Sequence, residues 1–353
     1  MQRPPGNRGF RTVFQESLVR ASNTPFVSVV TPVFNGEKYI DDCIQSVRRQ
    51  TYQAWEYVIV DNCSTDGTSD IVQKHVAEES RIRVLRTPEL LPLIQNHNFA
   101  LEQISPKSQY CKIVHADDKL FPECLELMVA AGDKHPSASI VGSYSLWGEK
   151  VVSDGIPLET TLITGRDLCR KTLLGQIYCF WSPSALLIRS SSIRERGSFY
   201  KGTHLHADVE AYYELLRNSD FAFAHQILSF IRRHDESATS RITRPQNRTL
   251  VSNLDLFLKF GREFLTKEEY QSELRVKTRQ YYRFLVGSLL ACRERGFWQF
   301  HQEACKAMGF PFRWSQLAQV FLWEALSKPG PTVRNAMAGL SDLVSRSNRN
   351  NLV

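Results

Sequence analysis

The sequence has no pair of cysteines at Cys-x-x-Cys spacing and no Cys/His cluster at zinc-ligand spacing. Its eight cysteines are scattered at Cys43, Cys63, Cys111, Cys124, Cys169, Cys179, Cys292 and Cys305. Thiols spread this way along 353 residues read as buried free cysteines of a reducing compartment. Long apolar runs are missing too. The longest stretch without a charge, Thr172 to Ile188, contains Gly175, Gln176, Ser182 and Pro183 and falls short of the ~20 residues a membrane span needs. Met1 to Pro25 lacks the apolar core of a signal peptide. The expectation is a cytoplasmic chain with no span. Nor is there a run of five basic residues, although the net charge is +7. Dispersed Lys and Arg read as a solvated basic surface, and no nucleic-acid partner is expected. There is no internal repeat and no low-complexity tract.

What is present is an ordinary globular composition, 42% hydrophobic and 23% charged, in a length that suits one large domain with an appendage or two domains. Residues 1–25 are polar, rich in Arg and Pro, and read as a loose arm. From Phe26 strands and helices alternate. Apolar strands are predicted at Val27–Val30, Trp55–Val60, Ile82–Leu85, Cys111–Val114 and Ser139–Ser143. Helices fall between them at Gly36–Thr51, Thr68–Glu79, Leu93–Gln103 and Pro122–Lys134. This alternation predicts an α/β fold with a largely parallel sheet. Ligands of such sheets bind beyond the carboxyl ends of the strands, where Asp61, Asn62, Asp117 and Asp118 stand. After Trp147 the pattern loosens, with a strand at Ala185–Ile188, a helix at Asp208–Arg217 and a strand-like Phe221–Arg232. Beyond Arg248 it is helical, at Leu250–Phe264, Lys267–Gly296 and Trp314–Leu326. The division expected is 1–25, 26–240 and a helical region 241–353.

Two adjacent acids at the end of an apolar strand repel one another unless a cation neutralises them. Mg²⁺ and Mn²⁺ take such oxygen ligands and commonly share them with a substrate diphosphate. The alternative for Asp117-Asp118 is a helix N-cap.

Three motifs then stand in order: Val27-Ser28-Val29-Val30-Thr31-Pro32-Val33-Phe34-Asn35-Gly36, Val58-Ile59-Val60-Asp61-Asn62-Cys63-Ser64-Thr65-Asp66-Gly67, and His115-Ala116-Asp117-Asp118. Together they closely resemble the family-two glycosyltransferases. The resemblance implies a GT-A fold over residues 26–240, a nucleotide-diphosphate sugar donor, inversion at the anomeric carbon, and a bound Mg²⁺ or Mn²⁺. Position by position it places Thr31, Pro32, Asn35 and Glu37 near the nucleotide, and Asp61 and Asn62 at its base or ribose. Asp117 would bind the ribose or assist the metal, and Asp118 would hold metal and diphosphate. The catalytic base would be Asp208, in His206-Ala207-Asp208-Val209-Glu210, where Ala207 replaces the family's usual Glu and Glu210 is the rival acid. Phe230-Ile231-Arg232-Arg233-His234 resembles the family's Arg-x-His segment, giving Arg232 to phosphate charge and His234 to the metal or diphosphate.

Departures are informative. Where the family reads Asp-Asp-Gly-Ser this chain reads Asp61-Asn62-Cys63-Ser64. Processive relatives carry Gln-x-x-Arg-Trp, but Phe310 precedes Arg313-Trp314 in the Gln position, so a non-processive enzyme is implied. The resemblance also suggests cell-surface or exopolysaccharide synthesis and a saccharide or lipid-linked saccharide acceptor. Leu317, Val320, Phe321, Trp323 and Leu326 line one helix, which permits peripheral contact with the inner face of a membrane. Two other classes fit less well. A nucleotidyltransferase would want a Gly-rich phosphate loop after the first strand, and Thr31 to Lys38 has only Gly36. A non-enzymatic binding protein would not need Asp117, Asp118 and Asp208 together.

Overall fold

The computed structural model describes residues 24–202, 206–234, 248–291 and 293–327. Most of the segment read as an N-terminal arm therefore lies outside the described residues. The chain divides into two compact units between Arg233 and His234.

In the first unit four strands are parallel: β1 (Val27–Val33), β2 (Trp55–Asp61), β3 (Ile82–Arg86) and β4 (Tyr110–Ile113). Helices α1 (Ile40–Arg48), α2 (Thr68–Glu78) and α3 (Leu93–Glu102) connect them. Every residue of β1 is buried, as expected of a parallel strand covered on both faces. The helical spacing of Ile40, Cys43, Ile44 and Val47 puts all four in the core, against Val29, Tyr57, Leu125 and Met128. The strand order is β3-β2-β1-β4. The chain thus winds one way from β1 to β3 and then returns to β1's other side. Between β1 and β4 lies the switch point at which an open α/β sheet leaves a crevice.

Beyond β4 come β5 (Lys119–Leu120), α4 (Cys124–Lys134), β6 (Ala138–Trp147), β7 (Lys150–Val152), β8 (Leu162–Thr164), α5 (Gly165–Leu173), β9 (Leu186–Arg189), α6 (Ser190–Arg194), α7 (Ala207–Leu216) and β10 (Asp220–Ile231). Here the sheet is less parallel than the alternation predicts. β9 enters antiparallel between β4 and β6, while β10 runs parallel to β6. Strands β5, β7 and β8 span two or three residues, too few for a period-two pattern to be seen in sequence. The helix predicted from Gly36 begins only at Ile40. Residues 35–37 are instead tied by their backbone N–H groups to the loop after β2 and the first residue of α2: Asn35 to Ser64 Oγ (2.9 Å), Gly36 to Thr68 Oγ1 (2.8 Å) and Glu37 to Asp66 Oδ2 (3.1 Å).

The second unit is helical: α8 (Arg248–Phe264), α9 (Lys267–Leu290), α10 (Arg295–Ala307) and α11 (Trp314–Ser327). Its core gathers Leu254, Tyr281, Tyr282, Leu285, Phe297, Cys305 and Leu317. α9 opens on a full capping box, Thr266 with Glu269. The helix predicted over Lys267–Gly296 is two, because Glu294 takes an extended conformation (φ −62°, ψ 160°) and starts α10. Among the described residues no helix is long and apolar enough to cross a membrane.

Candidate active site

The site grows from the carboxyl ends of β1, β2 and β4. Val30 is the last β1 residue paired with β4, opposite Ile113; beyond it the strands part. Pro32 therefore sits in a central strand at no cost, since no β4 acceptor faces its missing N–H. Thr31 holds the fork, its Oγ1 donating to Val114 O at 2.7 Å.

The β1 and β2 loops lock together. Asn35, left-handed at φ 50°, accepts from Thr65 N through Oδ1 at 2.8 Å. Glu37 accepts from Gly67 N at 3.1 Å. A side chain at Gly67 would meet that carboxylate, since a Cβ there lies 2.7 Å from Glu37 Oε1. Asp61 is buried and accepts from Ser64 N (2.9 Å), with Arg86 Nη1 at 3.4 Å. Asn62 is buried too. Its Oδ1 accepts from Leu91 N (2.8 Å) and Thr87 Oγ1 (3.0 Å), and its Nδ2 donates to Leu91 O (2.8 Å). This two-way pairing with one backbone residue needs an amide, because a carboxylate could only accept. Asn62 thereby shapes the 87–91 loop in front of the strand ends.

At the end of β4 the ligand atoms of His115, Asp117 and Asp118 lie within 4.8 Å of one another. Asp118 is buried. Its Oδ1 accepts from Arg232 N (3.0 Å) and its Oδ2 from Ser182 Oγ (3.3 Å). Burial, and then the neighbouring charge of Asp117, push its carboxyl up to about 6. An acid strained in this way is a group that a divalent cation would relieve, so the residues present fit one. Arg232 reaches back, Nε donating to Asp117 O (3.0 Å) and Nη2 to Asp42 (3.3 Å), with its guanidinium over the Tyr39 ring at 4.4 Å.

His115 is held from behind. Its N–H donates to Ser184 Oγ (3.0 Å), and its Nε2 lies 3.4 Å from Nε2 of His97. His97 Nδ1 in turn faces Leu93 O at 2.9 Å. Close packing, and then His115, bring His97 down to about 4, so its ring is neutral at pH 7.

Asp208 stands in the first turn of α7. Its Oδ1 is buried with no hydrogen-bond partner among the described residues. Burial raises its carboxyl above the ordinary range, opposed by His206 and by His115. Tyr178 and Tyr200 feel its charge.

Residues 28–195 match glycosyl transferase family 2. That segment belongs to the family. A putative teichuronic acid biosynthesis glycosyltransferase, TuaG, of Bacillus subtilis (strain 168) is 34% identical over 156 residues, which are 43% of this chain and 60% of that protein. Glycosyltransferase GlyG of Streptococcus pneumoniae serotype 4 is 29% identical over 42% of this chain and 46% of its own length. The chain thus spans about half the length of these relatives. The fold is GT-A, as in S. aureus TarS 1–349 in complex with UDP, at TM-score 0.58 and 18% identity, covering 80% of each chain. A Pyrobaculum calidifontis mannosyltransferase, PcManGT, in complex with GDP-Man and Mn²⁺, gives TM-score 0.50 at 14% identity, covering 97% of this chain and 90% of that one.

The candidates named from sequence fall into groups. Thr31, Pro32, Asn35, Glu37, Asp61 and Asn62 share the interlocked strand-end loops. Asp117, Asp118 and Arg232 are joined directly by hydrogen bonds, and Asp208 lies within electrostatic reach of His115. His234 is the first residue of the second unit and is not one of the three clustered ligands. Sequence reasoning passed over His97, His115 and Ser182. His115 lay inside a quoted motif, but a lone His beside an acid pair gives no sign of where its ring points.

Proposed function

We propose that the chain transfers a glycosyl group from a nucleoside-diphosphate sugar to an acceptor hydroxyl, with inversion and without processivity, in assembly of a cell-surface polysaccharide. The observation that carries this reading is the cluster at the end of β4, with the Asp208 carboxylate, whose Oδ1 has no hydrogen-bond partner among the described residues, within its electrostatic reach. Asp118, with Asp117 and His115, would hold Mg²⁺ or Mn²⁺, which supplies neutralisation of the leaving diphosphate's charge. Asp61 and the loop that Asn62 braces line the nucleotide end. Arg232, anchored on Asp117, adds positive charge where the diphosphate departs. Asp208 takes the acceptor proton as that oxygen attacks the anomeric carbon in line, through an oxocarbenium-like transition state. The polysaccharide role draws on the names of relatives such as TuaG.

For the acceptor we infer a saccharide or lipid-linked saccharide met at a membrane surface. α11 supports this, with Trp314, Leu322 and Trp323 each about half exposed.

The test is a transfer assay across UDP- and GDP-sugars with Mn²⁺, with Mg²⁺ and with EDTA. Asp118→Ala is expected to abolish transfer while circular dichroism stays that of the folded chain. Transfer undiminished by EDTA would remove the metal from the mechanism.

A further inference from the structure

The acid pair alone does not choose among divalent ions; the histidine beside it does. We infer that His115 is a nitrogen ligand of the cation through Nδ1, positioned by His97, so that the centre prefers Mn²⁺ and later transition ions to Mg²⁺. This rests on the metal-assisted reading above and adds to it a donor atom, a positioning residue and a metal preference.

The donor atom follows from a chain of hydrogen bonds. Leu93 O can only accept, so the Nδ1 of His97 that faces it at 2.9 Å carries the hydrogen. In the neutral ring Nε2 of His97 is then an acceptor. The group facing it is Nε2 of His115, at 3.4 Å, which must therefore donate. The lone pair of His115 is left on Nδ1, on the side of the acids. Nδ1 is 3.9 Å from Asp118 Oδ2, too far for a hydrogen bond. Two donors each ~2.1 Å from one ion stand roughly 3–4 Å apart, so the separation suits a shared cation. The arrangement is held in advance. The two imidazoles meet edge to face with centroids 5.5 Å apart, and Tyr200 packs on His97 at 6.2 Å. The His115 backbone is pinned at both ends, its N–H on Ser184 and its carbonyl accepting from Cys43 Sγ at 3.4 Å. A partner fixing the tautomer of a liganding histidine is a recurring device of metal sites, and losing it commonly costs ~10–100-fold in affinity. Mg²⁺ wants oxygen donors and gives up water reluctantly, whereas imidazole suits the transition ions.

The experiment is Mn²⁺ binding to the full chain followed by electron paramagnetic resonance. Inorganic pyrophosphate serves as a nitrogen-free stand-in for the diphosphate. Electron spin-echo modulation from the bound ion should show ¹⁴N coupling, replaced by a ¹⁵N pattern when the wild-type chain is labelled with [¹⁵N]histidine. His115→Gln should lose that coupling. His97→Phe should weaken Mn²⁺ binding ~10–100-fold, and His115→Asp should narrow the preference for Mn²⁺ over Mg²⁺. Bound Mn²⁺ without nitrogen modulation, or modulation that survives in His115→Gln, would overturn the inference and leave a metal site of oxygen donors. No Mn²⁺ bound at all would overturn the metal-assisted reading itself, and this inference with it.

Discussion

Asp208 and Glu210 are two residues apart on α7, hence about 200° apart around the helix. Only one of them can address the acceptor. Asp208 keeps a buried oxygen without a hydrogen bond among the described residues, the state of a base waiting for a proton. Burial favours its protonated form, so the base is lost as pH falls through a value above the usual carboxylate range. The acid limb of kcat/KM is therefore expected to have its midpoint above ~4. Asp208→Asn should lower turnover by ~10²–10⁴-fold with nucleotide affinity nearly intact, and Glu210→Gln should be much milder. The reverse order in steady-state kinetics would move the base by two residues. Cys63 gives a second prediction. It adopts a left-handed φ of 59° at the place where the resemblance leads one to expect Gly. A Cβ there is strained by ~1–2 kcal/mol, set against the weak bond from its Sγ to Thr87 O at 3.3 Å. Cys63→Gly should leave stability unchanged or raise it by up to about 1 kcal/mol in urea unfolding. A clear loss would mean that the thiol contributes more than its geometry suggests.

At the scale of elements, the strands and helices that flank the site were legible because apolar residues cluster in the strands and recur at helical spacing in α1. β1, β2 and β4 read as mostly apolar runs, and α1 as a helical stripe. What the sequence hid was the identity of neighbours. Nothing in Leu186–Arg189 announces that it runs antiparallel between β4 and β6, and no spacing rule links His97 on α3 to His115 after β4. Asp117-Asp118 could be found by type and position, whereas the tautomer chain behind them exists only once the fold brings α3 against the end of β4. β4 holds another case. Its Lys112 is fully buried, with Nζ 3.4 Å from Met128 Sδ, and burial lowers its ammonium below the ordinary value. The folded state therefore binds fewer protons than the unfolded one between that lowered value and ~10.4. In this window stability rises with pH, by at most about 1.4 kcal/mol per pH unit. Lys112→Met, close in volume and apolar, should raise Tm, more at pH 6 than at pH 9. An equal gain at both would mean that Lys112 stays charged in the fold.

The whole molecule joins a family-2 domain to a separate helical unit, and the apolar surface of that unit bears on where it works. Helices built only to pack bury their large side chains, as α11 does with Leu317. The same helix leaves Trp314 55%, Leu322 58% and Trp323 48% exposed. Trp314 has packing of its own, against Phe312 and Trp298 at 5.0 and 5.7 Å, and Trp323 lies under Arg279 at 3.5 Å. Indole faces flanked by Arg suit a membrane interface, where the ring sits among headgroups and the cation meets anionic lipid. The net charge of +7 adds long-range attraction that salt screens beyond ~10 Å at 0.1 M. The full chain is therefore expected to float with phosphatidylglycerol-containing liposomes at low salt and to be released in part at 0.5 M NaCl. It should not float with purely zwitterionic ones. Leu322→Ser with Trp323→Ser should weaken binding at both salt levels, because the apolar part of the attachment is lost while the charge stays. Flotation that fails at low salt, or survives the double substitution unchanged, would leave α11 as a packing helix and require another route to the acceptor.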